Sequence, residues 1–301
     1  MSRTTTNLIG ILLTILAGIF LYYMLCSSCG AAIAEKPVKE AVVPAVPEVT
    51  SYPFAFSDGG YACNVNDNFN FNVSSESILT PLAQGVTDCI GTLKTFLDEN
   101  DDKVINITGY YKSDEVNDTA FPNLGLARAT SVKNHLTENG IATSRINTSG
   151  QLRDEMVPKD NVYLGPVSYS LEGESADSGD ELKALYEKIK ADPLVLYFDT
   201  AEASISLSGA QKQKIADISR YLDKVEGSSC NVVGHTDNTG RADTNRRLGQ
   251  GRADFAKEYL VKNGISAAKI NASSKGQTEP VESNATEEGR SKNRRTVVTL
   301  N

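Results

Sequence analysis

Sliding the 301-residue sequence along itself brings two long stretches into register, and this constrains the fold more than any single motif. Phe71-Asn72-Val73-Ser74-Ser75-Glu76-Ser77-Ile78 parallels Phe198-Asp199-Thr200-Ala201-Glu202-Ala203-Ser204-Ile205, and Ile107-Thr108-Gly109 parallels Val233-Gly234. Leu124-Gly125-Leu126-Ala127-Arg128-Ala129 parallels Leu248-Gly249-Gln250-Gly251-Arg252-Ala253. Glu138-Asn139-Gly140-Ile141 then matches Lys262-Asn263-Gly264-Ile265, and Arg145-Ile146-Asn147-Thr148-Ser149 matches Lys269-Ile270-Asn271-Ala272-Ser273. Matches in one order imply two copies of one fold. Each copy has about 110–120 residues, enough for a domain with its own core.

The second copy is the easier to read. Leu194 to Phe198 is a short apolar run of strand type, and Ser208 caps a helix whose Ile215, Ile218 and Leu222 recur at helical spacing. Cys230 to Val233 is the next strand, ending at Gly234. A longer helix follows, with Leu248, Phe255, Tyr259 and Leu260 as its expected apolar stripe. It stops at Asn263-Gly264, where Gly tolerates left-handed geometry and Ile265 can fold back as the hydrophobic contact of the cap. Thr286 caps a short helix with Glu287 and Glu288 in its first turn, and Thr296 to Leu300 closes as a strand. The order βαβαβ, then a small helix and a last strand, predicts an α/β fold built as an α+β sandwich. The chain then holds two such domains in tandem.

Ahead of them, Leu8 to Cys26 runs without a charge, long enough to cross a bilayer's hydrocarbon layer as a helix. Arg3 and the amino terminus weakly place the start of the chain in the cytoplasm and the bulk of it outside. A lipoprotein signal is the competing reading, with Cys29 or Cys26 as the acylated residue. Met24 and Leu25 fit badly before Cys26, and Cys29 has Ser27 and Ser28 before it but Cys26 where Leu is usual. Either way the chain is exported and tethered to a membrane, inner or outer. Cys26 and Cys29 also match a redox CxxC spacing, which belongs at a helix start in another kind of unit and not beside a membrane span. Cys63 and Cys89 share one exported domain and are candidates for a disulfide. The expected division is 1–30 anchor or signal, 31–50 Pro-rich linker, 51–172 first copy, 173–192 linker with a short helix over Glu181 to Lys190, and 193–301 second copy.

Lys and Arg total 30 against 38 Asp and Glu, a formal charge of −8 with no basic cluster, which argues against a nucleic-acid partner. Only His135 and His235 are present, too few for a histidine-rich metal site, and no phosphate-cradling loop or paired nucleophile is visible. No cofactor, metal or catalysis is expected.

The motifs of the second copy carry a family signature. Gly234-His-Thr-Asp-Asn-Thr-Gly240, Asn245-x-x-Leu248-Gly-x-x-Arg252-Ala253, Gly264-Ile265, and Asn284-x-Thr286-x-x-Gly289-Arg290-x-x-Asn293-Arg294-Arg295 resemble OmpA-like domains, as in the OmpA C-terminal domain, the Pal lipoprotein and MotB. The resemblance covers about a third of the chain strictly and most of the rest loosely. It implies non-covalent binding of peptidoglycan in the periplasm, with Asp237 holding the ammonium and Arg252 the carboxylate of the stem peptide's diaminopimelate. Those residue types suit the task, since a guanidinium fork makes two charge-assisted bonds to a carboxylate. Both groups are expected near the surface. Phe198, Asp199, Thr236, Asn245 and Leu248 are the expected supporting positions. His235 is expected to be structural, and Arg290, Arg294 and Arg295 to brace the module or line its groove. Leu248-Gly249 departs from the family's commoner Leu-Ser, and Gly loosens a helix by about 1 kcal/mol relative to Ala.

The first copy keeps less of the signature. Lys112 or Ser113 falls at the acidic position, Tyr110 replaces the histidine, Asn72 stands for Asp199, and Arg128 is left alone, so no two-ended clamp is expected. Residues 52–171 then read as a degenerate OmpA-like copy acting as a spacer or as a surface for an envelope protein partner, in secretion or motility. A proton-conducting stator role is disfavoured, because Leu8 to Cys26 lacks the intramembrane carboxylate that such a role needs.

Overall fold

The computed structural model describes residues 3–26, 48–173, 178–198 and 206–301. Cys29, the linker over 31–47 and Asp199 lie outside the described residues. Helix α1 (Arg3–Cys26) belongs to one unit, residues 1–47. Within it, Asn7–Leu25 is long and apolar enough to cross a membrane, with a mean hydropathy of 2.4.

Residues 48–301 form the other unit. Its first half runs β1 (Phe54–Asp58), β2 (Tyr61–Val65), β3 (Phe71–Asn72), α2 (Gln84–Glu99), β4 (Lys103–Tyr111), α3 (Leu124–Glu138), β5 (Ile146–Leu152), β6 (Val162–Tyr163) and β7 (Val167–Gly173). The second half runs α4 (Ser178–Ala191), β8 (Leu194–Tyr197), α5 (Gly209–Lys224), β9 (Cys230–His235), α6 (Ala242–Lys262), β10 (Ile270–Gly276), α7 (Glu287–Asn293) and β11 (Arg295–Leu300). The sheets share a plan. In the second half the order is β10-β9-β11-β8, with β9 parallel to β10 and antiparallel to β11. In the first half it is β5-β4-β7, with β4 parallel to β5 and antiparallel to β7. The halves differ at the fourth place: β8 pairs with β11, whereas β3 pairs with β6. In the first half the β1–β2 hairpin packs beside β7, with Phe54 edge-on to Tyr169 at 4.6 Å. Cys63 on that hairpin is joined by a disulfide to Cys89 on α2.

Local chemistry explains the helix ends. Ser208 and Gln211 form a reciprocal capping box at the start of α5. Helix α6 ends in a Schellman motif: the Gly264 N–H donates to Val261 O and the Ile265 N–H to Leu260 O, with Gly264 at φ +94° and Ile265 buried. Thr286 Oγ1 accepts from the Gly289 N–H at the start of α7.

A glycine pair brings each central strand against its helix. A Cβ at Gly234 on β9 would lie 1.9 Å from the carbonyl oxygen of Gly249 on α6, and one at Gly109 on β4 would lie 2.0 Å from that of Gly125 on α3. Gly249 therefore serves a close backbone crossing, and its helix penalty is offset by tight packing. The same crossing changes the expected stripe of α6. Its buried face is Gly249, Ala253, Ala256 and Leu260, while Leu248 is 43% exposed. Small side chains suit a helix pressed against its sheet.

The expected linker over 173–192 is mostly α4, and it belongs to the second half. Ile189 is buried in that half's core, Lys188 pairs with Asp217 at 2.7 Å and Tyr186 packs on Tyr221. The halves also touch directly, so they are not beads on a string. Buried Lys133 on α3 donates to Asp223 on α5 at 2.5 Å, and the Ala120 N–H donates to Asn263 Oδ1 at 3.0 Å. Ala120 itself packs in the second half's core.

Candidate functional site

Strand β9 delivers Asp237 to a turn just past its end. The Asp237 carboxylate accepts from the Thr239 N–H at 2.9 Å, an Asx-type turn that fixes the side chain. Its backbone carbonyl accepts from Thr236 Oγ1 at 2.9 Å and from Asn245 Nδ2 at 3.2 Å. Thr236 and Asn245 are thus buried props that set the turn from two sides.

Arg252 comes from the middle of α6. Its Nη1 donates to His235 O at 3.4 Å, and its guanidinium carbon lies 5.5 Å from the Phe198 ring centroid. Phe198 is a buried core residue that gives Arg252 an aromatic face. Asp237 is 9% and Arg252 3% exposed, which corrects the expectation that both lie near the surface. They line a cleft of about 530 Å³ together with Thr236, Thr239, Asn245, Leu248, Glu287, Arg290 and Arg294. Leu248 is the exposed apolar group of this cleft.

The main residue that sequence reasoning left unresolved is Arg294. Its Nη1 donates to Asp237 Oδ2 at 3.0 Å and its Nη2 to Glu287 Oε1 at 2.9 Å. Arg290 donates twice to the other Glu287 oxygen, at 2.8 and 2.9 Å, which completes a charged chain from α7 into the cleft. The signal was present but ambiguous. Asn293-Arg294-Arg295 spans the change from helix to strand, so its three side chains diverge. Asn293 clamps the loop at Val281 and Glu282, Arg294 enters the cleft, and Arg295 donates to Glu279 O at 3.2 Å.

These surroundings set the ionisation states. Burial works to raise the Asp237 pKa, but the Thr239 N–H and Arg294 outweigh it, and the carboxyl is held below its ordinary value. Burial and the nearby Arg294 lower that of Arg252, while Asp237 opposes them. Burial, seconded by Arg295, pushes His235 down to about 4. Its Nδ1 is buried without a hydrogen-bond partner among the described residues. A neutral, buried imidazole below the cleft fits the structural role expected of it.

The first half presents the corresponding place differently. Arg128, fully buried, makes a two-pronged pair with Glu115: Nη2 to Oε1 at 2.5 Å and Nη1 to Oε2 at 3.1 Å. The expectation of an unaccompanied Arg128 is therefore corrected. The acidic partner comes from Glu115, two or three residues beyond the positions that counting selects. Lys112 pairs instead with Asp114 at 3.4 Å.

A two-layer α/β domain with a buried Asp-Arg cleft at one end of its sheet is the class that this half defines. Residues 197–294 match the OmpA family. The chain is 31% identical over 144 residues to the Escherichia coli (strain K12) protein named "Probable lipoprotein YiaD", covering 45% of this chain and 65% of that protein. It is 37% identical over 87 residues to "Peptidoglycan-binding protein ArfA" of Mycobacterium tuberculosis (strain ATCC 25618 / H37Rv), covering 28% of this chain and 27% of that one. Among solved structures, the peptidoglycan-associated lipoprotein from Burkholderia pseudomallei is 26% identical and covers 36% of this chain and 89% of its own, with a TM-score of 0.33. The chain spans less than two thirds of the length of these two curated relatives.

Proposed function

We propose that the second half binds peptidoglycan non-covalently through the diaminopimelate of the stem peptide, and that α1 or a lipidated Cys29 or Cys26 tethers the protein to a membrane with its bulk in the periplasm. Asp237 takes the ammonium and Arg252 the carboxylate. The observation that carries this reading is the convergence of Asp237, Arg252 and Arg294 in one partly enclosed cleft of an OmpA-family domain. The name of the relative ArfA, a peptidoglycan-binding protein, supports the wall as the ligand.

Chemistry supports the division of labour. A carboxylate offers about four lone-pair sites. The Asp237 side chain spends one on the Thr239 N–H, one on the Thr239 side chain and one on Arg294, which leaves one for an ammonium. Arg252, braced by Phe198 and His235 O, presents a fork that matches a carboxylate. Arg294 orients Asp237 and keeps it ionised before ligand arrives. We assign the cleft to binding and not to catalysis.

The test is pelleting of the soluble portion, residues 48–301, with isolated sacculi. Asp237→Ala and Arg252→Ala should each weaken binding tenfold or more, since each removes one partner of a charge-assisted contact worth roughly 1.5–3 kcal/mol. Binding that survives both substitutions would defeat the proposal. It would favour the alternative of an envelope scaffold that mainly grips a protein. The first half is the place for such a partner: residues 48–173 carry 17 Asp and Glu against 8 Lys and Arg, a surface suited to a basic protein.

A further inference from the structure

The arginine of the first half sits in surroundings that repeat those of Arg252. Arg128 lies 5.7 Å from the Phe71 ring and 5.3 Å from that of Tyr163, as Arg252 lies over Phe198. Arg128 Nη1 donates to Tyr110 O at 2.8 Å, as Arg252 Nη1 donates to the carbonyl of His235 at the matching position. Arg128 is fixed further by Nε to Ser75 O at 3.0 Å and Nη2 to Asn72 O at 3.4 Å. Glu115 then fills the fork, and its carboxylate is saturated from the other side too. Oε1 accepts from the Ser74 N–H and Oε2 from the Lys112 N–H, each at 2.9 Å. With the two guanidinium contacts, all four acceptor positions are used. Val116 N–H donates to Ser74 Oγ at 3.0 Å and clips the loop shut over the pair.

We infer that the first half is a carboxylate-binding site holding its own ligand: Glu115 occupies in cis, on Arg128, the position for which the fold is built to receive a carboxylate. The four donors around that carboxylate come from three separate segments: the turn after β3, the loop after β4, and α3. A plain surface ion pair needs no such converging amides. Only the analogy with Arg252 leans on the proposed wall binding; the site itself stands on Arg128, Ser74 and Lys112.

The experiment is chemical rescue. Thermal unfolding of residues 48–301 is followed for the unaltered protein, Glu115→Ala and Glu115→Gln, in sodium formate and in sodium chloride at equal ionic strength. Glu115→Ala leaves a buried guanidinium and two amide donors around a carboxylate-sized space, and should lower Tm by roughly 10 °C. Formate should restore at least half of that loss saturably, and chloride should not. Glu115→Gln fills the space with an amide and should respond to formate no more than the unaltered protein, whose own response also accounts for Arg252. Equal formate responses in Glu115→Ala and the unaltered protein would overturn the inference. If Glu115→Ala does not accumulate folded, refolding from urea in the two salts replaces the melt. Recovery in formate alone supports the site, and equal failure or equal recovery in both rejects it. Sacculus binding plays no part in this readout, so the wall-binding proposal and this one fail separately.

Discussion

Arg128 and Arg252 stand on the same strand-helix framework and end in opposite conditions. Arg128 is sealed against Glu115 with neither side chain more than 1% exposed, whereas Arg252 lines a cleft of about 530 Å³. The difference arises in the loop after the central strand. In the second half that loop is tied down by Thr236, Asn245 and Thr239, so its acid points across the cleft to Arg294. In the first half the loop carries its acid further along and folds it onto the arginine. Two halves with similar central sheets thus hold one sealed and one open arginine through the placement of one carboxylate. The charge balance follows the same division, since residues 178–301 carry 17 acidic against 19 basic residues while the first half is strongly acidic.

Removing each arginine in turn tests whether the two sites are opposites. Arg128→Ala strands a buried Glu115 and should cost about 3–5 kcal/mol in urea unfolding, with sacculus binding per folded molecule unchanged. Arg252→Ala should show the reverse pattern, a smaller loss of stability and a large loss of binding. Matched stability losses, or a binding defect from Arg128→Ala, would show that the two sites are not opposites.

The glycine crossings probe what the halves share. Gly109→Ala and Gly234→Ala each drive a methyl into a carbonyl and should destabilise by roughly 3 kcal/mol. Unequal effects, read by urea melts, would mean that only one copy depends on the close approach.

Acid titration probes His235 in the second half. With His235 pushed down to about 4 in the folded protein and an ordinary value of 6.5 when unfolded, the unfolded chain binds the extra proton first as pH falls. Its stabilising influence is complete above 6.5 and is lost progressively toward 4, roughly 2 kcal/mol between pH 7 and 5. Replacing His235 with Gln should flatten that slope; an unchanged slope would locate the acid sensitivity elsewhere. The smallest expected effect is Ser208→Ala, about 1 kcal/mol from the lost capping box, measured by thermal melts.

Capping signals placed the starts of α5 and α7 and the end of α6, because Ser208, Thr286 and Asn263-Gly264 act through their own neighbours along the chain. Leu248 was misjudged because helical spacing finds a face without saying how closely that face meets the sheet. Arg294 was underused because a run of three polar residues across a helix-strand junction has no single direction. Glu115 escaped counting because it lies two or three residues beyond the positions that the landmarks select and meets Arg128 only through the fold of its loop.

Local order and spacing carried the mixed α/β class, the OmpA-family match of residues 197–294 and the expectation that Asp237 and Arg252 hold ligand. Tertiary structure alone decided which charge meets which. Asp237 with Arg294, Arg128 with Glu115 and Lys133 with Asp223 are pairs made across 57, 13 and 90 positions of chain. Electrostatic partners are chosen by distance in space and by exclusion of water, and neither quantity exists until the sheets and helices have packed.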